Sequence, residues 1–221
     1  MSRTEITIET ELRLKCPQLQ LGCIHAEVQV APSGQELLRE MEQACARIAN
    51  SLDIEDISNL PHIRSTREAY KATGKKPGRY RPSAEALLRR VVSGKGLYHI
   101  NNVVDVINLC SITTHYSIGG YAADQIAGAA TMSIGQEGEP YEAIARGPLN
   151  IAGLPVLRDG QGAFGSPTSD SVRTMVGDEA RVLLLVFFNF GGHEGMEKVL
   201  KSAAALIGRH CQGKSTEMWL Q

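Results

Sequence analysis

The run Gly96-Leu97-Tyr98-His99-Ile100-Asn101-Asn102-Val103-Val104-Asp105-Val106-Ile107-Asn108 joins a basic loop to an apolar helix. Asn101 or Asn102 carries the side chain that caps a helix by accepting an N–H of its first turn. Behind it Val103, Val104, Ile107 and Ile112 recur on one helical face. On the N-terminal side the same periodicity predicts three more helices. One runs from Gly34 to Asn50, with Ser33 and Glu36 as a capping box and Leu37, Leu38, Met41, Cys45 and Ile48 as its apolar stripe. A second runs from His62 to Thr73 and ends at Gly74, and a third is capped by Ser83 and stops near Gly94. Before them Ile6/Ile8 and Leu12/Leu14 alternate as a strand does, and Leu19 to Val30 reads as a longer strand. On the C-terminal side the pattern changes: Ala130–Ile134, Tyr141–Ala145, Leu154–Leu157 and Arg181–Phe190 are short strands between glycine turns, and a last helix spans Glu194–Arg209. With no linker or repeat between the halves, the chain reads as one α+β domain over residues 1–221, helices packed on a mainly antiparallel sheet or sandwich.

Charge is distributed unevenly along the chain. Between Arg64 and Lys95 stand ten Lys/Arg and two acids, whereas the whole chain of 221 residues has a formal net charge of −1. A local cationic patch attracts phosphates whatever the net charge, and Tyr70, Tyr80 and Tyr98 add surfaces on which bases stack. Lys71, Lys75, Lys76, Arg79 and Arg81 are therefore candidate RNA contacts, against the alternative of a solvated basic face. The first residues, Met1 to Thr4, lack the apolar core of a signal peptide, and the longest apolar run, Val182 to Phe188, is too short to span a bilayer. These features predict a cytosolic protein without a membrane partner. Cys16, Cys23, Cys45, Cys110 and Cys211 form no Cys-x-x-Cys pair and read as buried thiols. Cys16, Cys23 and His25 fall short of a four-ligand zinc set, so no metal is expected.

Several chemistries drop out on spacing. Gly160, Gly162 and Gly165 match a dinucleotide fingerprint, but Asp159-Gly160 signals a hairpin and no strand–helix crossover surrounds it. No Gly-x-Ser-x-Gly elbow, His-Glu-x-x-His or Walker loop occurs, and Gly213-Lys214-Ser215 lies in what reads as a polar tail. What remains is the polar segment from Asp159 to Glu179, where Ser166, Thr168, Ser169, Ser171 and Thr174 crowd between Gly165 and Gly177. Small hydroxyl residues beside glycines leave room for a ligand, and a carboxylate at the edge orients water or grips an amine. His99, at a helix entrance, is the best-placed candidate base in the sequence.

The run from Gly96 to Asn108, with Ala86-Leu87-Leu88-Arg89-Arg90 before it and Gly119-Gly120-Tyr121 and Asp124-Gln125-Ile126-Ala127-Gly128 after it, resembles the B3/4 domain of the phenylalanyl-tRNA synthetase β subunit. Gly162-Ala163-Phe164-Gly165 and the run through Val176, Asp178 and Glu179 to Phe187-Phe188 resemble that domain's later segments. The resemblance extends from about Ser58 to Ile207. It implies the editing function of that family, hydrolysis of tyrosine wrongly attached to phenylalanine tRNA, here performed in trans by a free-standing domain without a cofactor. The implied partners are the tRNA acceptor end and the amino acid moiety, not DNA. Residue by residue, the family's editing glutamate falls on Glu179. The family's arginine is replaced by Tyr98 and its histidine by Gly119, with His99 a stand-in if its ring turns inward. The implied substrate contacts are Tyr98, Gly119, Gly120, Gly165, Ser166 and Thr168. The two departures leave a second reading open, a non-catalytic module that binds RNA or an amino acid.

Overall fold

Residues Val182–Asn189 read Val-Leu-Leu-Leu-Val-Phe-Phe-Asn, and a strand so apolar is stable only when both of its faces are covered. The computed structural model describes residues 3–221, without the side chain of Ser215, and it covers both faces. Met1 and Ser2, counted in the domain that the sequence suggests, lie outside the described residues. The elements follow in the order β1 (Ile6–Ile8), α1 (Thr10–Lys15), β2 (Gln20–Glu27), α2 (Gln35–Ser51), α3 (Pro61–Ala72), α4 (Ser83–Val92), α5 (Asn102–Thr114), β3 (Ile118–Ala122) and β4 (Ala130–Ile134). After them come β5 (Glu142–Ala143), β6 (Gly147–Pro148), β7 (Pro155–Asp159), β8 (Gly162–Gly165), β9 (Val182–Asn189), α6 (Met196–His210) and β10 (Lys214–Leu220).

Two four-stranded sheets, ordered β10-β2-β9-β3 and β1-β4-β7-β8, are antiparallel except for the β1–β4 pair. Period-two alternation assigns the faces of β9. Leu183, Leu185 and Phe187 join Leu37, Leu88, Val106 and Leu200 in a core between sheet and helices. Leu184, Val186 and Phe188 join Leu157, Phe164 and Met132 in a core between the two sheets. The chain is thus an α+β fold of three layers, helices on sheet on sheet. A third, smaller core gathers Tyr70, Tyr141, Ile151 and Leu154 beside the β5–β6 hairpin.

The motif that opens α5 fastens the layers together. Asn101 accepts the N–H of Val104 at 2.9 Å and donates to Val176 O at 3.3 Å. Asn102 accepts from Ala31 N and Val103 N and donates to Gln29 O and His210 O, so three of its four hydrogen bonds join other segments to the helix start and the fourth stays within the helix. Asp105, fully buried, accepts from Ile100 N at 3.0 Å and Ser33 Oγ at 2.6 Å. Ser33 is therefore not the cap of α2. The cap position is Gly34, and no side chain bonds there.

Two other expectations change. Leu12/Leu14 belong to α1, where Leu12 is buried and Leu14 is exposed, because two alternating pairs cannot distinguish a strand from a helical turn with one inward residue. The C-terminal tail is strand β10, antiparallel to β2 with a register shift between Lys214 and Glu217. Lys214, Thr216 and Glu217 are exposed on this edge strand, which hides the period.

Candidate functional site

A cleft of about 530 Å³ opens between α4, α5, β3, the β5–β6 turn and the segment after β8. Leu87, Ile107, Ile118 and Val176 give it apolar walls, and Tyr98, Ile100, Ile144 and Met175 are large apolar side chains left exposed around it. Among the described residues that line it, Asp170 is the one carboxylate, and Arg90 and Arg146 are the cations.

Asp170 is half-buried, and its position is set from several directions. Tyr121 Oη donates to Oδ1 at 2.9 Å and Gly120 N to Oδ2 at 3.2 Å, while the backbone of Asp170 accepts from Ile144 N at 2.9 Å. Burial raises its pKa to about 7, even though the bonds from Tyr121, Gly120 and the Ser166 backbone pull it down. The phenol itself is fully buried and pushed well above its usual range, by burial first and by the Asp170 charge second. Two glycines make room for it. A Cβ on Gly119 would stand 1.9 Å from the Tyr121 hydroxyl and one on Gly165 only 2.1 Å. Gly120 instead lets α5 approach β3, since a Cβ there would meet Ile107 Cδ1 at 2.4 Å.

The hydroxyl-rich segment folds as a braced turn. Ser166 Oγ donates to Ser169 O and accepts from the N–H groups of Thr168 and Ser169, and Thr168 Oγ1 pairs with Tyr70 Oη at 2.8 Å. Tyr141 Oη holds Ser169 O at 2.6 Å. Behind this turn Asp159 and Arg173 form a two-point pair at 2.8 and 3.0 Å. Burial pushes Asp159 up, yet Arg173 and the N–H groups of Ala127 and Gln161 hold it below the usual carboxylate range. Asp159 is also the corner of the β7–β8 hairpin, as the Asp-Gly signal anticipates.

Of the residues singled out from the sequence, Tyr98, Gly120 and Thr168 line the cleft, while Gly119, Gly165 and Ser166 shape it from behind. Glu179 does not reach it. Its side chain is 97% exposed and stands 3.4 Å from Arg181, so the acid marked by the Asp-Glu pair lies outside the cleft. His99 is outside as well, 55% exposed with Nδ1 3.7 Å from Asp105 Oδ2. As an implied substrate contact Gly120 offers no free N–H, because its N–H already donates to Asp170. Asp170, Arg90 and Arg146 also line the cleft, and the sequence assigns none of them a role there. The available signal was an acid inside a run of serines and threonines, where the side chain has hydrogen-bond partners and little room to leave.

The cationic segment is partly consumed by the fold. Lys75 is buried, and its Nζ donates to Asn150 O and Ala152 O, each at 2.7 Å. It caps a loop, with its ammonium turned inward and not free on the surface. Buried Glu85 draws Arg67 at 2.8 Å, Arg89 at 3.0 Å and Arg81 at 3.9 Å. Lys71, Lys76 and Arg79 are exposed and make no ion pair among the described residues. The loop that carries Lys76 and Arg79 leads into Ser83, a cleft residue whose N–H bonds to Pro167 O.

A family model described as the B3/4 domain matches residues 65–212. No curated protein matches the chain. Among solved structures, an N-terminal fragment of the phenylalanyl-tRNA synthetase β subunit from Pyrococcus horikoshii aligns with 13% identity and a TM-score of 0.49. The alignment covers 96% of this chain and 50% of that one, so the chain spans about half the length of the solved fragment.

Proposed function

The chain belongs to the B3/4 domain family, and from that membership we propose that it acts on aminoacyl-tRNA in trans, hydrolysing the ester of a mischarged, apolar or tyrosine-like aminoacyl group held in the cleft. The observation that carries this reading is the single cleft carboxylate, Asp170, half-buried at the base of apolar walls with a pKa of about 7. A general base works best when its pKa lies near the operating pH, and burial beside Tyr121 supplies that condition. Asp170 keeps acceptor capacity beyond its bonds to Tyr121 and Gly120, so it can also accept from a water. In the step envisaged, the water oxygen attacks the ester carbonyl and its proton passes to Asp170. The bond from the carbonyl carbon to the ribose oxygen then breaks and that oxygen is protonated, releasing the amino acid and the tRNA.

A second reading, a non-catalytic aminoacyl- or RNA-binding module, is favoured by the position of Glu179 in solvent. Deacylation assays with the full chain on a panel of mischarged tRNAs separate the two. For a hydrolase, Asp170→Asn lowers kcat by about a hundredfold, the scale of general-base catalysis, and Glu179→Ala leaves it unchanged. Wild type and Asp170→Asn alike inactive on every tRNA, with binding retained, would favour the module.

A further inference from the structure

An aminoacyl group that fills the cleft fixes what comes next, because its ester joins it to a ribose whose base and phosphate must then lie at the cleft's mouth. Tyr98 stands at the mouth with Arg90 over one face of its ring, the guanidinium carbon 3.7 Å from the ring centroid and Nη1 3.1 Å from the hydroxyl. The residue is still 57% exposed with Arg90 in place, which leaves ring surface open to solvent. A ring held flat by a cation, with part of its surface free, is the equipment for stacking a base. Arg146 reaches the same cleft from the tip of the β5–β6 hairpin. It makes no ion pair among the described residues. The turn behind it holds Ala145 at φ 57° and Gly147 at φ 70°. The left-handed conformation costs an alanine about 1 kcal/mol, and such strain collects where a ligand-binding group must be aimed.

We propose that Tyr98, backed by Arg90, is the stacking platform for the terminal base of an RNA 3′ end, and that Arg146 takes the phosphate of that nucleotide. The subsite rests on the reading of the cleft as an aminoacyl-tRNA site, but it binds the nucleotide whether or not an ester is cleaved. Its test therefore uses RNA that carries no ester. The probe is a short fluorescent RNA with the tRNA acceptor-end sequence and a free 3′ hydroxyl, compared with the same RNA lacking the terminal base. Wild type should prefer the complete RNA by about tenfold, the scale of one base–aromatic stack. Tyr98→Ala should erase the preference and Tyr98→Phe should keep it. Arg146→Ala should weaken both RNAs and flatten the salt dependence by about one phosphate contact. Both substituted side chains are exposed, so an unchanged melting temperature checks that folding is intact. A wild type indifferent to the terminal base, or a Tyr98→Ala variant that retains the preference, overturns the subsite. If wild type shows the preference yet deacylates nothing, the hydrolase reading fails and the subsite stands. If wild type deacylates while Tyr98→Ala leaves RNA preference and KM unchanged, the subsite fails and the hydrolase reading stands.

Discussion

Asp170 and Tyr121 form the pair on which the proposed chemistry of the cleft depends. Their coupling makes a prediction independent of any total rate. The Tyr121 hydroxyl donates to Asp170 and so favours the ionised carboxylate, while burial opposes ionisation and prevails. Removing the donor in Tyr121→Phe takes away a stabilising bond to the charged form, and the pKa of Asp170 must rise above its starting value of about 7. A base is competent only when deprotonated, so the acid limb of the pH–kcat profile should move to higher pH. A limb that stays in place, in a variant that folds, removes Asp170 from the role of base. At this scale the sequence was informative about glycines and poor about acids. Gly119, Gly120 and Gly165 are marked by the family resemblance, yet their reason, the room needed by Tyr121 and Ile107, appears only when β3, β8 and α5 come together. The resemblance assigns the editing glutamate to Glu179 through its pairing with Asp178 after a glycine turn. Neither neighbour constrains which way the side chain points.

α2, α3, α4 and α6 are legible almost to their ends from apolar spacing and terminal signals that no strand period can imitate, whereas α5 is legible at its start and is buried on most of its surface. Short elements are not legible in this way. α1 has a single buried residue, and β10 is an edge strand whose exposed side chains mask its alternation. The Asn101-Asn102-Asp105 pattern identifies the fold for a physical reason, since each of these side chains hydrogen-bonds to two or more segments of the chain. A comparable fastener joins α3 to α4. Glu85 on α4 is 1% exposed and receives Arg67 of α3 and Arg89 of its own helix. Glu85→Gln keeps the shape but loses the charge, leaving two half-buried guanidinium groups without their anion. The expected cost is about 1–3 kcal/mol, below that of a fully buried broken pair because both cations retain access to water. Urea unfolding measures it, and a change under about 0.5 kcal/mol would mean that the cluster is an exposed ion pair in energetic terms.

Across the whole molecule, a net charge of −1 conceals a basic segment whose apparent strength is reduced by the fold. Arg67, Arg81 and Arg89 gather around Glu85, Arg90 lies on Tyr98, and Lys75 is turned inward. A count along the sequence cannot anticipate this, because Glu85 is one acid among many cations until burial brings several of them to it. The distinction separates two variants that the sequence alone would treat as equivalent. Lys76→Glu/Arg79→Glu changes exposed charges beside the entrance to α4, so tRNA affinity should fall and the slope of log affinity against log salt should shrink by at least about two charges. Its melting temperature should hold. Lys75→Ala should do the reverse. Burial already lowers the pKa of this lysine, with Arg79 adding to the effect, and its ammonium serves the carbonyls of Asn150 and Ala152. Losing it leaves those acceptors unmet, with an expected destabilisation of about 1–3 kcal/mol and little change in salt slope. Binding measured across a salt series, beside thermal melts of the same two proteins, reads both effects. If Lys75→Ala flattens the slope as much as the double reversal does, the ammonium faces phosphate and the inward cap is wrong. If neither variant alters binding, the basic segment does no more than solvate the fold.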